Sequence, residues 1–255
     1  MTKIDLTGRV LLVTGASSGL GAHFARQAAA AGARLVLAAR RLEMLEALRD
    51  EILGTGGEAL AVGMDVADET STRAAYAAAE QKFGLVDSII ANAGMNCEMP
   101  FMELTPDDFA RVLAVNVTGV ALTLREGARR LIATPREQRR GGRMVVISSI
   151  TGAHIAPGLA LYGASKAAVT QLGRTLAREW LNKGINLNII CPGYIETDIN
   201  SAWFASEGGK RQIQGWPRRR LMAASSLDGP ILHLLSDAAE YTAGAVFTID
   251  DGQTL

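Results

Sequence analysis

The stretch of sequence that decides the fold is Thr14-Gly15-Ala16-Ser17-Ser18-Gly19-Leu20-Gly21. It follows the apolar run Arg9–Thr14 (RVLLVT), which is typical of a buried strand, and it leads at once into the amphipathic pattern of Leu20–Ala31. Glycines allow the backbone to turn sharply and a helix to pack closely against a strand. The stretch therefore predicts a strand, a tight turn and a helix in direct succession, which is the start of a βαβ unit.

The same alternation of short apolar runs and longer amphipathic stretches continues along the chain. The further predicted strands are Arg34–Ala39, Ala59–Val62, Val86–Ala91, Arg143–Ser148, Ile185–Cys191 and Ala245–Ile249. The helices predicted between them are Leu42–Leu53, Glu69–Phe83, Pro106–Ala133, Leu159–Asn182 and Leu227–Leu235. Because the strands lack polar alternation, we expect both of their faces to be covered. The pattern predicts an α/β fold with a doubly wound, Rossmann-like and mainly parallel seven-stranded sheet, in a single domain over residues 1–255.

The composition limits the classes of protein that the chain can be. It has 26 basic and 26 acidic residues among 255, so its formal charge gives no electrostatic case for binding nucleic acid or an anionic membrane. Cys97 and Cys191 match no metal-ligand spacing, and we expect reduced thiols and no metal site. The N-terminus lacks a signal-peptide pattern, and no apolar run approaches about 18 residues, so the sequence predicts a soluble, cytoplasmic protein.

The glycine turn between the first strand and its helix indicates a dinucleotide site. A helix N-terminus offers unpaired N–H groups and a partial positive charge to phosphates, and glycines let a pyrophosphate approach the backbone. The spacing is G-x-x-x-G-x-G and not the commoner G-x-G-x-x-G, and a purely structural glycine turn is the alternative. The predicted contacts are Gly15, Ser17, Ser18, Gly19, Leu20 and Gly21.

The end of the second strand indicates which nicotinamide cofactor is bound. NAD sites usually place a carboxylate there for the ribose hydroxyls, but this strand ends in Ala38-Ala39-Arg40-Arg41. A guanidinium suits a phosphate because it combines charge with a planar fork of donors. Arg40 is therefore the predicted ligand of the 2′-phosphate of NADP(H), supported by Arg41; the alternative is two solvated arginines.

Tyr162 and Lys166 form the predicted proton-transfer pair. Their i, i+4 spacing places both side chains on one face of a helix. A free tyrosine has a pKa of about 10, so acid–base work near neutral pH requires stabilisation of the phenolate by about 4 kcal/mol. One cation at about 4 Å supplies roughly that much at an effective dielectric constant near 20. Lys166 barely suffices alone, so we expect the pair to be incomplete until the cofactor is bound.

Three further polar sites fall where they can meet this pair. Ser149 follows the strand Arg143–Ser148, and a hydroxyl at that end of a strand can bind the same substrate oxygen. Asn92-Ala93-Gly94 ends the fourth strand in a turn that can approach a cofactor closely. Asn116 is a polar residue in an apolar stretch, so its amide must be hydrogen-bonded, either to a main-chain carbonyl or to a water in a relay to Lys166.

Over nearly its whole length the chain resembles the short-chain dehydrogenase/reductase family, in its shorter single-domain form. The matching segments are TGASSGLG (14–21), Asp65-Val66, ANAG (91–94), Asn116, ISS (147–149), YGASK (162–166), CPGYIET (191–197) and IDDG (249–252). The resemblance implies a catalytic tetrad of Asn116, Ser149, Tyr162 and Lys166, and the basic Arg40 resembles the NADP-preferring branch.

The family resemblance also implies roles outside the tetrad. Asp65 would contact the adenine beside Val66, Asn92, Ala93 and Gly94 would back the cofactor, and the nicotinamide amide would be flanked by Pro192, Gly193, Ile195 and Thr197. A homotetramer packed through Pro106–Ala133 and Leu159–Asn182 is implied as well. Gln253 stands where the family usually has a second glycine; we assign this change to the subunit-contact end, without effect on the chemistry.

Two segments interrupt the alternation of strands and helices. The basic Thr134–Gly142 segment, extended to Arg143, reads as a solvated loop, with an anion-gripping face as the alternative. The segment Asp198–Arg220 is predicted to be a substrate lid, although its aromatic residues Trp203, Phe204 and Trp216 suit ordinary core contacts equally. The residues predicted to line the substrate pocket are Cys97, Thr151, His154, Tyr194 and Trp203.

Together these features predict an NADP(H)-dependent oxidoreductase that reduces a ketone or a 3-oxoacyl group. Its expected partner is a small carbonyl or alcohol substrate. A reductase specific for a 3-oxoacyl group on a carrier protein is the nearest alternative, since Arg129 and Arg130 could meet an acidic carrier. A non-catalytic NADP(H)-sensing module is the alternative from another class, and the presence of all four tetrad residues argues against it.

Overall fold

The computed structural model describes residues 4–197 and 200–255, and within them the predicted alternation of strands and helices is confirmed. The strands are β1 (Val10–Thr14), β2 (Arg34–Ala39), β3 (Glu58–Gly63), β4 (Ser88–Ala91), β5 (Gly142–Ile147), β6 (Ile185–Pro192) and β7 (Val246–Ile249). The helices are α1 (Gly19–Ala30), α2 (Leu42–Gly54), α3 (Glu69–Phe83), α4 (Pro106–Leu113), α5 (Val120–Ala133), α6 (Ala160–Trp180), α7 (Ser201–Ala205), α8 (Glu207–Gly215) and α9 (Asp228–Leu235). None of the helices in these ranges is both long and apolar enough to cross a membrane.

The seven strands form one parallel sheet in the order β3-β2-β1-β4-β5-β6-β7. The chain runs outward from β1 to β3 and then returns to β4 on the other side of β1. In such a doubly wound sheet, a crevice opens beyond the carboxyl ends of the strands where the order reverses. The ends of β1 and β4 therefore mark the expected position of a ligand site.

Apolar cores cover both faces of the sheet. One core packs beneath α1, α2 and α9, and the other beneath α3, α5 and α6. Adjacent residues of β1 face opposite cores, Leu12 one and Val13 the other, and both are fully buried. This explains why the strands lack polar alternation. The edge strand β7 is the exception to our expectation, since Val246 is 41% exposed.

The single long helix predicted over Pro106–Ala133 is interrupted by a π-helical turn at Ala114–Gly119. Helix α4 precedes the turn and begins with a capping box between Thr105 and Asp108, and α5 follows it. Such wide turns insert an extra residue and commonly occur at functional sites. This one contains Asn116, and the periodicity of the apolar residues gives no sign of the interruption.

The basic segment Thr134–Gly142 is bound to the body of the protein over much of its length. Arg139 donates hydrogen bonds to the carbonyl oxygens of Thr134 and Lys183, and Arg140 donates to that of Thr7. Arg143 is buried and donates to the Ser236 carbonyl, so our interpretation of it as part of a solvated face is wrong. The guanidinium groups donate to carbonyl oxygens of the segments that precede β1 and β6 and that follow α5 and α9.

Arg9, which precedes β1, is the largest of the fully buried side chains and was predicted only as a strand residue. It forms an ion pair with Asp87 at 3.0 Å and a second one with Asp237, and it also donates to the carbonyl oxygen of Gly141. A buried cation requires such partners because desolvation is costly. Arg9 thereby connects the start of β1 with the segments that precede β4 and β5 and with the segment that follows α9.

Candidate active site

A cleft of about 740 Å³ opens at the carboxyl ends of the strands, at the predicted switch point. Its walls come from the glycine turn before α1, the ends of β4, β5 and β6, the first turn of α6, and helices α7 and α8. This volume is within the usual range for small-molecule and cofactor sites. All four residues of the predicted tetrad lie at this cleft or directly behind its wall.

The glycine turn has the backbone shape that a pyrophosphate needs. Gly15 has a φ of +68°, and a Cβ at Gly21 would lie 2.2 Å from the Gly15 carbonyl oxygen. A Cβ at Gly19 would meet no atom within 4 Å, so the space above the turn is open. Ser18 is the N-cap of α1 but makes no side-chain capping bond, which leaves the first amides of this 12-residue helix available to an anion. The turn therefore fits a dinucleotide phosphate.

The end of β4 is fastened to the end of β1. The Asn92 side chain donates to the Thr14 carbonyl oxygen at 3.0 Å, and the Asn92 and Ala93 amides both donate to the Thr14 hydroxyl. Beyond them, the position that a Gly94 Cβ would occupy is 3.4 Å from both Asn116 Oδ1 and Lys166 Nζ. The absence of a side chain at Gly94 therefore keeps the surface in front of these two groups open.

Asn116 is completely buried in the π-helical turn and fixes the backbone after β4. Its Oδ1 accepts a hydrogen bond from the Met95 amide at 2.8 Å, and its Nδ2 donates to the Met95 carbonyl and to the Ser165 hydroxyl, each at 3.0 Å. Of the two alternatives left open by the sequence, the structure therefore has the main-chain contact. It also links the β4 loop to helix α6, which carries Tyr162 and Lys166.

Tyr162 and Lys166 lie on the first two turns of α6, facing the end of β5. The ammonium nitrogen of Lys166 is 5.6 Å from the centre of the Tyr162 ring and donates to the Ile147 carbonyl at 2.9 Å. Ser149 follows β5 and lines the same cleft, where its hydroxyl accepts hydrogen bonds from the Thr151 amide and hydroxyl. The hydroxyl of the neighbouring Ser148 donates to the Lys166 carbonyl and also forms a hydrogen bond with the Thr170 hydroxyl.

Burial controls the protonation of this pair. It raises the pKa of Tyr162 to about 12, although the hydrogen bond with Ser149 lowers it somewhat. Burial also lowers the pKa of Lys166 to about 8, because a cation loses solvation there. The sequence led us to expect a Tyr162 pKa lowered by Lys166, but in the protein alone burial is the dominant influence and the pKa is raised. Further positive charge is required for acid–base work, which agrees with the pair being incomplete by itself.

The residues predicted for the adenine end lie along the neighbouring carboxyl ends of β2 and β3. Arg41 donates to the hydroxyls of Ser17 at 3.0 Å and Ser18 at 2.7 Å, so it is attached to the glycine turn. Arg40 is exposed and has no hydrogen-bond partner among the described residues. Asp65 accepts from the Ala67 amide in a short turn. Arg41 therefore places a positive charge beside the phosphate-binding turn, and the exposed Arg40 precedes it in the chain.

Gly119 allows the π-helical turn to approach this end of the site closely. A Cβ at Gly119 would lie 2.6 Å from the Val66 side chain. Val66 is therefore packed directly against the segment that carries Asn116, and its position beside Asp65 is fixed by that contact.

Four of the five residues predicted for the substrate pocket line the cleft, namely Thr151, His154, Tyr194 and Trp203. Cys97 does not, and that prediction is wrong. Its neighbours Asn96 and Glu98 line the cleft instead. Pro192, Gly193, Ile195 and Thr197 line it as well, next to the end of β6.

The predicted lid consists of the two short helices α7 and α8; Asp198 and Ile199 lie outside the described residues. Trp203 lines the cleft, and its indole nitrogen donates to Gln212 Oε1 at 2.8 Å. Trp216 and Phe204 are buried against Tyr194, with the Trp216 and Tyr194 rings stacked at 5.3 Å. The aromatic residues therefore form both a core contact and a wall of the cleft.

Gln253 is a wall residue that the sequence analysis assigned to a different place. Its Oε1 accepts from the Tyr194 amide at 2.6 Å, and its Nε2 donates to the Tyr194 and Arg220 carbonyl oxygens. The side chain is buried and lines the cleft. We expected this departure to concern the subunit-contact end and to leave the chemistry alone. The structure instead places the Gln253 side chain in the cleft wall, where a glycine could not hold the Tyr194 backbone. An uncommon residue next to an established motif was the available signal.

Comparison with known proteins agrees with this fold and site. A family model for short chain dehydrogenase matches residues 9–208. The chain therefore belongs to the short-chain dehydrogenase/reductase family. Its relatives are oxidoreductases, and it is an oxidoreductase of the same family.

Its relatives include proteins with different activities. The chain is 34% identical over 258 residues to oxidoreductase UcpA of Escherichia coli, covering 98% of this chain and 96% of that protein. It is 34% identical over 252 residues to L-rhamnose 1-dehydrogenase (NAD(P)(+)) of Azotobacter vinelandii, covering 97% of each. A similar solved structure is a gluconate 5-dehydrogenase from Burkholderia cenocepacia in complex with NADP and tartrate, with a TM-score of 0.92, 31% identity, and coverage of 99% and 97%.

Proposed function

We propose that this protein is an NADP(H)-dependent reductase of carbonyl compounds, with Tyr162 as the acid–base. The observation that carries the proposal is the convergence of Tyr162, Lys166 and Ser149 on one cleft beside the open glycine turn. A phenol and a serine hydroxyl that face the same space can bind and protonate one substrate oxygen. The turn beside them fits the phosphates of a dinucleotide.

The chain's own residues handle the proton and the orientation of the substrate. When bound, the nicotinamide cofactor supplies the hydride to the carbonyl carbon. Tyr162 gives its phenolic proton to the carbonyl oxygen, and Ser149 donates a hydrogen bond to the same oxygen. Lys166, held by Ile147, stabilises the phenolate that remains. Asn116 acts on this chemistry by holding the Met95 backbone. We propose that a water molecule ordered behind Gly94 relays a proton to Lys166.

Preference for the phosphorylated cofactor is part of the proposal. Arg40 is without a partner among the described residues and exposed, and Arg41 is fixed beside Ser17 and Ser18. The Burkholderia cenocepacia neighbour is described with NADP bound, which supports the same assignment. We expect the Arg40→Ala/Arg41→Ala double variant to raise the KM for NADPH at least about tenfold and that for NADH by less than about twofold.

The alternative of a carrier-specific reductase loses its main support. Arg130 pairs with Glu126 at 2.7 Å and also with Glu80, and Arg129 pairs with Glu126. These arginines are largely neutralised within the protein, so they offer little charge to an acidic carrier. The non-catalytic alternative is decided by turnover, since a sensing module would bind NADPH without consuming it.

Two architectural proposals accompany the function. The helices α7 and α8 act as a lid over the substrate end of the cleft, because they carry Trp203 and follow the β6 loop. The protein assembles as a homotetramer through the helices α4–α5 and α6. Leu113 and Ile132 are exposed on the first of these surfaces, which supports an apolar contact there. Sedimentation at micromolar concentration distinguishes a tetramer from a monomer.

The test of the function is turnover on a panel of ketones and the corresponding alcohols. With NADPH, loss of reduced cofactor should require a ketone and should yield the alcohol in equal amount. A protein that binds NADPH but consumes none with any member of a broad panel would contradict the reductase proposal. Equal kcat/KM for NADH and NADPH would contradict the cofactor preference alone.

A further inference from the structure

At the end of the cleft bordered by the loop after β5 and by helix α7, which we call the substrate end, both edges (the lips of the cleft) carry exposed apolar side chains. The loop after β5 contributes Ile155, which is 88% exposed, together with Pro157 and Leu159. Across the opening, helix α7 contributes Trp203, which is 43% exposed. Large apolar side chains that remain exposed around a concave site mark a surface that an apolar ligand covers.

The aromatic lip is held in a fixed orientation. Trp203 is anchored by its hydrogen bond to Gln212, and a Cβ at Gly208 would lie 2.8 Å from its ring, so α8 packs directly on it. Behind it, Tyr194 is stacked on Trp216 and its backbone is held by Gln253. A rigid aromatic wall loses little conformational entropy when a flat or cyclic ligand packs against it.

The charges at this end of the cleft disfavour an anion. In the part of the chain that the structure describes, Lys166 is the one Lys or Arg lining the cleft, and it is turned to the Ile147 carbonyl near Gly94. Glu98 is exposed at the substrate end, beside Gly158. The nearby Arg218 and Arg220 share one carboxylate, Asp251, and neither arginine lines the cleft. Among the described residues that line the cleft, a substrate carboxylate would thus meet the Glu98 carboxylate and no cation other than Lys166.

The influence of Glu98 extends to the aromatic wall. The pKa of Tyr194 is raised, chiefly by burial of its ring; a hydrogen bond with Gln212 lowers it, and the Glu98 carboxylate raises it again. The Glu98 carboxylate therefore lies close enough to act electrostatically on the aromatic wall of the cleft.

We propose that this site takes uncharged carbonyl compounds whose carbonyl is attached to an aromatic or other cyclic apolar group, and that it discriminates against anionic substrates such as sugar acids. The inference rests on the proposed reductase function, because Tyr162 defines where the carbonyl oxygen lies. It separates this chain from the solved neighbour described as a gluconate 5-dehydrogenase, whose name indicates a sugar acid.

A matched pair of ketones tests the proposal. Methyl 4-acetylbenzoate and 4-acetylbenzoate carry the same aryl methyl ketone and differ in one negative charge. We expect kcat/KM with NADPH to be at least about tenfold higher for the neutral ester, because the carboxylate is both desolvated and repelled. A 5-keto sugar acid should be reduced more slowly than either. Equal rates for ester and anion, or faster reduction of the sugar acid, would overturn the proposal.

Two substitutions attribute the discrimination to its proposed sources. Glu98→Gln should reduce the ratio of kcat/KM for the ester to kcat/KM for the anion by about threefold, as expected for an exposed charge. The control variant Glu103→Gln, on an exposed turn outside the cleft wall, should leave this ratio unchanged. Trp203→Ala should raise KM for the aryl ester but hardly change that for butanone, which is too small to cover the lip. An unchanged ratio in Glu98→Gln would contradict the role given to that carboxylate.

Binding separates failure of the substrate class from failure of the reductase function. The two benzoate compounds are titrated into the complex of the protein with NADP⁺, with tryptophan fluorescence as the signal. Tighter binding of the ester without turnover would support the substrate class while contradicting the proposed reaction. Turnover of other ketones together with equal binding of ester and anion would overturn the substrate class and leave the reaction intact.

Discussion

Lys166 illustrates how a functional side chain opposes the stability of the fold. It is 4% exposed, and its ammonium group has one described hydrogen bond, to the Ile147 carbonyl. Burial lowers its pKa from 10.5 to about 8, so the folded protein binds this proton less tightly than the unfolded chain does. The charged form is therefore destabilising below pH 8, and this cost disappears as the pH rises from about 8 towards 10.5.

This gives a prediction for the pH dependence of stability. Relative to Lys166→Met, the wild-type protein without cofactor should gain up to about 3 kcal/mol in unfolding free energy between pH 7 and 10. Tyr162 contributes little to the difference, because its pKa of about 12 in the folded protein lies above this range. Urea unfolding of each protein across this range measures the difference, and the exposed Lys82→Met serves as control with no such trend. A flat difference for Lys166→Met would contradict the burial argument.

Residues with a role in chemistry were easier to predict than residues that shape the pocket. Tyr162, Lys166 and Ser149 follow from residue type, spacing and position after a strand. The side of the chain on which Cys97 lies depends on the local twist of an extended loop, which residue types do not encode. The departure at Gln253 was visible in the sequence, but its contact with Tyr194 joins segments far apart in the chain, so the sequence did not indicate the partner.

At the scale of elements, the glycine turn and the π-helical turn place the cofactor side of the site. The first was predictable because glycine has a distinct backbone requirement and is recognisable in the sequence. The second was not, because Ala114–Gly119 has ordinary helical composition and its widening arises from tertiary contacts of Asn116 and from close packing of Gly119 on Val66. The seven strands were predicted within a few residues, whereas the π-helical interruption of the helix predicted over Pro106–Ala133 was missed.

Gly21→Ala should disrupt the turn. A Cβ there would lie 2.2 Å from the Gly15 carbonyl oxygen, and backbone atoms on both sides cannot move independently. We expect a loss of about 2 kcal/mol or more in unfolding free energy and at least about tenfold weaker NADPH binding, measured by chemical unfolding and titration. Gly54→Ala, at the end of α2 with no atom within 4 Å, should be neutral or slightly stabilising. Wild-type affinity in Gly21→Ala would contradict the close approach.

At the scale of the whole molecule, the two ends of the strands have separate tasks: the carboxyl ends form the functional site, and the amino ends contribute to stability. The carboxyl ends carry the cleft, and the amino ends carry the buried Arg9 with Asp87 and Asp237. The doubly wound order was predictable from the alternation of elements, because parallel strands with right-handed crossovers leave few topologies. The Arg9 network was not, since an arginine before a strand normally lies in solvent and its partners come from distant segments.

Asp87→Asn should therefore affect stability without affecting chemistry. Removing one partner of a buried ion pair costs up to about 3 kcal/mol, and Arg9 would then keep only the exposed Asp237 as a charged partner. The exposed pair of Arg26 and Glu51 is the control, and Glu51→Gln should cost less than about 1 kcal/mol. For Asp87→Asn, we expect a lower midpoint of urea unfolding together with unchanged kcat in native buffer. A loss of kcat with normal stability would contradict the separation of tasks.

The most direct test of the account is the turnover of Tyr162→Phe, which removes one hydroxyl from a half-buried ring and leaves its volume nearly unchanged. NADPH binding should stay within about threefold of wild type, while the rate of ketone reduction should fall at least about 100-fold, because proton transfer from a positioned acid contributes that much. Tyr241→Phe, at a fully solvent-facing tyrosine, is the matched control and should reduce ketones normally. Reduction by Tyr162→Phe within about threefold of the wild-type rate would contradict the role of Tyr162 as the acid–base.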